Sequence, residues 1–367
     1  MQSATPPGGR EINYGIHALR ILAMFFVCLL HSSAPGGVVG TVPNPNIICD
    51  FFSACELVTA NIGVNLFMLI TGYVCIPGRW KATRIVRLWL QVAFYTAAGI
   101  LIACATGNGG IQLYEILPIP LACGYWYFTA YIGLFFLIPF LNEYLTSISK
   151  KRFQQLLIVA IIGCSFVCPH LPQRNLILGS SVSDFSVIWM VVMYISGAYV
   201  RLHLNKDTAT KFYLFAYFGL TALQIGIFGV KNYMEARLGT DITLPILAFG
   251  SVSVFSYANS VLLFIWFTRL NVRSNALRKV LSWAAPMTFA FYLIHTNLHI
   301  VPLFRRLTDS FAAYTQVRCF HALVSALLIY VTCSLIDCGR ILLFSGAERL
   351  FRLAAGLWKN RKCNNAG

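Results

Sequence analysis

The chain has 367 residues, 58% of them hydrophobic and only 11% charged, where soluble domains average about a quarter charged. That balance excludes an ordinary globular enzyme and calls for long apolar runs buried in a bilayer. The formal net charge of +16 raises a nucleic-acid reading, which the placement of the basic residues then excludes.

Crossing the hydrocarbon takes ~20 mostly apolar residues per helix. Segments of that kind run, in order, over 12–34, 51–76, 87–106, 119–141, 153–169, 185–201, 212–230, 245–269, 280–303 and 318–346. The expected fold is therefore all-α and membrane-embedded, with about ten transmembrane helices. It divides into an N-terminal segment 1–11, a membrane domain 12–346 and a basic tail 347–367. The first nine residues and the stretch after Lys359 are expected to be disordered.

With the N-terminus in the cytoplasm, Arg10 and the basic clusters within 79–87, 150–152, 201–211, 269–279 and 349–362 all fall on the cytoplasmic side. The outer loops then keep only Arg174, Lys231, Arg237, Arg305, Arg306 and Arg318. Lys and Arg collect on the cytoplasmic side of membrane proteins. The alternation therefore places both termini in the cytoplasm and assigns the charge to topology, leaving no partner role for nucleic acid. The 12 cysteines contain no Cys-x-x-Cys pair and lie mostly in apolar runs, as small hydrophobic helix residues do.

A few polar residues inside these segments carry candidate chemistry. Arg20 and His31 are eleven residues apart in the first segment. At 100° per residue they fall only about 20° apart around the helix, separated by ~16.5 Å along its axis. An arginine within a membrane helix costs ~2.5–3.5 kcal/mol on insertion scales and faces protein or water, unless it snorkels to the interface. A neutral imidazole at His31 is suited to general-base work or to carrying a group covalently; a histidine satisfied by a helix neighbour is the plain alternative.

Glu56, near the outer end of the second segment, lies at a depth comparable to His31. It is a candidate to fix the His31 tautomer, or else an interfacial acid in contact with water. Arg84 and Arg87 stand one helical turn apart at the start of the third segment. They offer guanidinium forks for phosphate or serve only as positive-inside charge. Tyr125, Trp126, Tyr127 and Tyr131 gather at the outer end of the fourth segment, where an interfacial aromatic belt is the commoner cause and stacking on a sugar ring the functional one. His295 and His299 are expected one above the other on the ninth helix. No Asp, Glu or Cys accompanies them, so no metal site is expected. Asp337 and Arg340 are expected to pair with each other.

Several stretches in this order resemble one family across nearly the whole chain. They are "LRILAMFFVCLLH" with Arg20 and His31, "NLFMLITGYV" over 65–74, basic "RIVR" over 84–87, "YWYFTAYIGLFFLIPFLN" over 125–142 and "FAFYLIH" over 289–295. Together they resemble the acyltransferase 3 family of bacterial membrane O-acyltransferases, closest to the branch that acetylates surface glycans and their lipid-linked precursors. Thr71 varies the family's more usual Ser-Gly-Tyr, and Tyr125 stands before Trp126 where relatives often carry histidine.

The resemblance implies transfer of an acyl group, usually acetyl, from cytoplasmic acyl-CoA to a sugar hydroxyl at the bacterial cytoplasmic membrane. Acetyl-CoA would be a donor substrate, with no permanently bound cofactor. The partners implied are the acyl-CoA, a glycan or lipid-linked sugar acceptor and the lipid bilayer. The resemblance implies His31 as catalytic and Arg20 as donor-binding; the reading of the residues themselves adds Glu56 as a candidate beside His31, and Arg84 and Arg87 as candidate donor-binding groups. Tyr73, Trp126, Tyr292 and His295 are the expected acceptor-site or lining residues. The competing reading is a secondary transporter or flippase with a polar path through Arg20, His31 and Glu56; the internal repeats common in transporters are not visible.

Overall fold

The computed structural model describes residues 12–33, 47–76, 78, 81–107, 125–167, 187–204, 210–239, 250–310 and 318–364. Arg10, Arg79, Arg174 and Lys206, used above for topology, lie outside the described residues. Among the described residues all regular structure is helical. The helices are α1 (Tyr14–Ser33), α2 (Ile47–Ala60), α3 (Gly63–Cys75), α4 (Ala82–Thr106), α5 (Trp126–Ser147), α6 (Lys150–Ile162), α7 (Val187–His203), α8 (Thr210–Leu238), α9 (Val254–Thr268), α10 (Asn275–Ala284), α11 (Thr288–His295), α12 (Val301–Asp309) and α13 (Arg318–Asn364).

Local chemistry sets several of these ends. The side chains of Ser149, Ser253 and Ser274 accept backbone N–H bonds at the starts of α6, α9 and α10, satisfying donors a helix start leaves bare. Gly107, at φ 66°, closes α4 in the left-handed conformation that glycine adopts without steric cost.

Among the described residues six segments are long and apolar enough to cross a membrane: Tyr14–Ser32, Phe51–Cys75, Ala82–Thr106, Trp126–Ser147, Thr210–Glu235 and Arg318–Gly346. Val187–His203 and Val254–Thr268 are apolar but shorter. Three of the expected spans are interrupted. The fifth begins as α6 and passes into a π-helical turn over Gly163–Val167. The ninth, expected as one helix over 280–303, breaks into amphipathic α10, a 3₁₀ turn over Ala285–Met287 containing Pro286, the short α11, and α12 beyond it.

The second span fractures at Asn61–Ile62, between α2 and α3. The last helix runs past its expected end at 346 to Asn364, so its backbone is helical beyond Lys359 as well.

Helix α1 is the hub. It packs against α2, α3, α9, α10, α11 and α13. More than half of the apolar stretch of α1 and of the α2–α3 span is buried in the bundle (56% each), whereas α4 (22%) and α8 (17%) leave most of theirs on the outside. The tightest packing joins α3 and α7. A methyl group on Gly72 would collide with the Tyr194 carbonyl, and one on Gly197 with the Leu69 carbonyl. Small residues that admit close backbone approach are the usual means of helix association in lipid, so Gly72 of "NLFMLITGYV" has a packing reason.

Asn65 of the same stretch is also structural. It donates from Nδ2 to the Ser251 carbonyl (2.8 Å) and accepts from Trp189 Nε1 (2.8 Å), tying α3 to α7 and to the approach of α9.

Candidate active site

The face of α1 that carries Arg20 opens onto a cavity of about 220 Å³. Arg20, Met24 and Val27 form one wall. They recur at intervals of four and three residues, so they stack along one side of the helix. His31 is the next residue on that stripe, four beyond Val27 and ~6 Å further along the axis. It is not itself a wall residue; it lies one turn past the last one.

Val64, Phe67, Ile70 and Thr71 of α3, Leu88 of α4, and Trp126, Tyr127 and Tyr131 of α5 complete three more walls. The last consists of Ala285 and Pro286, in the 3₁₀ turn, with Thr288, Phe289 and Tyr292 of α11. The break in the ninth span is thus what brings its chain to the cavity.

Among the described residues no carboxylate stands on these walls. Among the described residues no ion pair involves Arg20. Arg340, well inside the last span, is placed oppositely. Its Nε donates to Asp337 Oδ1 at 2.6 Å, as expected from their spacing, and Tyr95 Oη donates to the same oxygen at 2.6 Å. An uncompensated cation inside a bundle is costly, and binding an anion offsets the cost. Arg20 is therefore the cavity's candidate anion-binding residue.

His31 Nδ1 lies 2.9 Å from His295 Nε2, with ring centroids 5.1 Å apart. His295 has no exposed surface, and its Nδ1 is 2.9 Å from the carbonyl oxygen of Phe291. This corrects two expectations. Glu56 does not hold the His31 Nδ1, which His295 already occupies; Glu56 sits half-buried on α2 and off the cavity wall. His295 and His299 do not stack on one helix, because α11 ends at His295. There Asn297 takes over, donating from Nδ2 to the Tyr95 carbonyl and to Tyr125 Oη (3.0 Å each) and accepting the His299 N–H. The turn that ends α11 is thereby pinned to α4 and to the start of α5.

The aromatic cluster of α5 faces inward. Tyr125 is buried and donates to the Leu293 carbonyl (3.0 Å), while Trp126, Tyr127 and Tyr131 line the cavity. The backbone N–H of Tyr127 donates to Tyr292 Oη (3.3 Å), and the Tyr127 and Tyr131 rings stack with centroids 6.4 Å apart. The belt explanation is overturned for these residues, because a belt would point them at lipid headgroups. Trp126 and Tyr292 line the cavity. Tyr127 and Tyr131 take the inward placement that the sugar-stacking reading needs, whereas Thr288 and Phe289 were not anticipated.

Tyr73 turns away. Its hydroxyl accepts from Arg201 Nη1 (3.1 Å), and that guanidinium lies 4.9 Å from the ring centre, so Tyr73 is not a lining residue. Arg84 faces a second, small recess with Cys75, Gly78, Lys81, Tyr131, Phe135 and Ile138. Tyr131 belongs to both recesses and is the partition between them. Arg87, exposed on α4, lines neither.

Among the described residues no group of three His, Cys, Asp or Glu side chains is placed to hold a metal.

No curated protein and no solved structure matches the chain. A family described as an acyltransferase domain, acyltransferase 3, matches residues 13–337. That match begins one residue before α1 and runs to Asp337, taking in every wall of the cavity and the histidine pair. The chain belongs to the acyltransferase 3 family, and it is a multi-pass membrane acyltransferase.

Proposed function

We propose that the protein transfers an acetyl group from cytoplasmic acetyl-CoA to a hydroxyl of a cell-surface polysaccharide or its lipid-linked precursor, in the cytoplasmic membrane of a bacterium. The observation that carries this reading is Arg20, which among the described residues has no ion-pair partner and faces a cavity without a carboxylate, on an α1 wall that leads to His31. A donor with anionic phosphates and a long flexible arm suits that layout. The anionic part is held by Arg20, with Arg84 and Lys81 at the recess behind Tyr131, and the arm runs along Met24 and Val27 toward the imidazole. With both termini cytoplasmic, the Arg20 end of α1 is the donor's side of entry.

At the far end, His31 accepts the proton of the acceptor hydroxyl as its oxygen attacks the thioester carbonyl. The tetrahedral intermediate collapses, the C–S bond breaks, and the proton passes to the leaving thiolate. General-base assistance of this kind contributes about 10²–10⁴ in rate. Trp126, Tyr127 and Tyr292 border the cavity as flat amphipathic surfaces for the donor arm or a sugar ring. The transporter reading loses support because Glu56, the acid its path needs, is not on the cavity wall.

The test is mass analysis of surface glycans from cells carrying the wild-type or the His31→Ala protein at matched membrane levels. Loss of the acetyl mass increment in the variant is expected. Glycans identical in both strains contradict the assignment.

A further inference from the structure

We infer that His295 is a positioning residue that fixes the tautomer of His31, leaving His31 Nε2 as the unprotonated atom that receives the acceptor's proton. The inference rests on His31 being the base, and adds which nitrogen acts and what sets it.

The chain of assignments starts at a group that has no choice. The carbonyl oxygen of Phe291 can only accept, so His295 Nδ1, 2.9 Å from it, carries a proton. In a neutral imidazole the other nitrogen is then a lone pair, so His295 Nε2 is an acceptor. The 2.9 Å contact to His31 requires one hydrogen, and His31 Nδ1 must supply it. His31 Nε2 is left with its lone pair.

The alternative is a doubly protonated His295, which would donate to His31 and leave Nε2 of His31 protonated and useless as a base. That places a full charge on a ring with no exposed surface, whose hydrogen-bond partners are a neutral imidazole and a carbonyl. An uncompensated buried charge of this kind is strongly disfavoured. When His31 takes the acceptor proton, its Nδ1–H still points at the His295 lone pair. The forming imidazolium is thus stabilised without a carboxylate. The second nitrogen of a functional histidine is commonly set by the hydrogen bond the first one makes; here a backbone carbonyl on α11 sets it at one remove.

Two substitutions separate this role from simple packing, because they preserve opposite halves of the imidazole. In His295→Gln the amide reaches the position of Nε2 and presents an oxygen that accepts from His31, while the Phe291 bond is lost. In His295→Asn the amide reaches the position of Nδ1 and keeps the Phe291 bond, while the acceptor for His31 is lost. The assay is acetyl transfer by full-length protein in nanodiscs, with kcat and the KM for acetyl-CoA measured at matched folded amounts alongside His31→Ala.

The inference predicts that Gln keeps kcat within about 10-fold of wild type, that Asn loses about 10²–10⁴-fold, and that KM changes little in either. Equal rates at any level, or Asn above Gln, overturn it. Nitrogen-15 spectra of histidine-labelled wild-type protein give a readout independent of turnover. Both rings should show Nδ1–H and bare Nε2, and a proton on His31 Nε2 overturns the assignment. If instead His31→Ala retains full activity, the base role itself fails, which is a different result from either.

Discussion

Replacing the two membrane arginines by methionine should change stability in opposite directions. Arg340 is joined to Asp337, which is 1% exposed, and Tyr95 shares the same carboxylate oxygen. Arg340→Met leaves that carboxylate uncompensated, and breaking a buried pair from one side costs about 3–5 kcal/mol. Arg20 has no such partner among the described residues, and its cavity has no carboxylate. Arg20→Met removes an unpaired charge whose insertion costs ~2.5–3.5 kcal/mol, so the ligand-free protein should become more stable by up to that amount.

The donor tells the other half. A hydrogen bond to a charged group contributes about 1.5–3 kcal/mol, which is roughly 10- to 100-fold in donor affinity. Thermal unfolding in detergent, with and without CoA, measures both. Wild type at a CoA concentration of about 100 Kd should gain ~2.7 kcal/mol. Arg20→Met should start higher and gain little, and Arg340→Met should start lower and gain as much as wild type. An Arg20→Met protein destabilised as much as Arg340→Met, or stabilised by CoA as well as wild type, refutes the reasoning that Arg20 is an anion site.

Other substitutions test the frame around the cavity. Gly72→Ala should push α3 from α7, because the added methyl meets the Tyr194 carbonyl; a loss of about 1–3 kcal/mol is expected from overpacking, read as a lowered melting temperature. Since His295 and not Glu56 occupies His31 Nδ1, Glu56→Gln should leave kcat within a few-fold of wild type (under about 1 kcal/mol) and the pH–rate profile unshifted. A displaced profile would return Glu56 to the site.

The first helix was the most legible part of the sequence because one helix needs only local geometry. The 100° arithmetic that aligned Arg20 with His31 also predicts that Met24 and Val27 lie between them, and those residues do line the cavity. The Asp337–Arg340 pair followed from spacing for the same reason.

Long-range partners were not legible. His31 and His295 are 264 positions apart, and no local pattern connects them. Tyr73 is next to Gly72, yet its orientation is decided by Arg201 from another helix. The interruption of the ninth span did leave a trace, Pro286, which removes a backbone donor and resists a continuous helix. An apolar count passes over it. Inward-facing aromatics on α5 were mistaken for a belt because composition gives depth along a helix but not direction around it.

The most direct test of the account is acetyl transfer by purified protein reconstituted in liposomes with radiolabelled acetyl-CoA and an acceptor glycan, comparing wild type with His31→Ala. The account predicts labelled glycan from wild type and a rate lower by at least about 10² in the variant, with CoA still stabilising both proteins through Arg20. A variant that labels the glycan at the wild-type rate would contradict it.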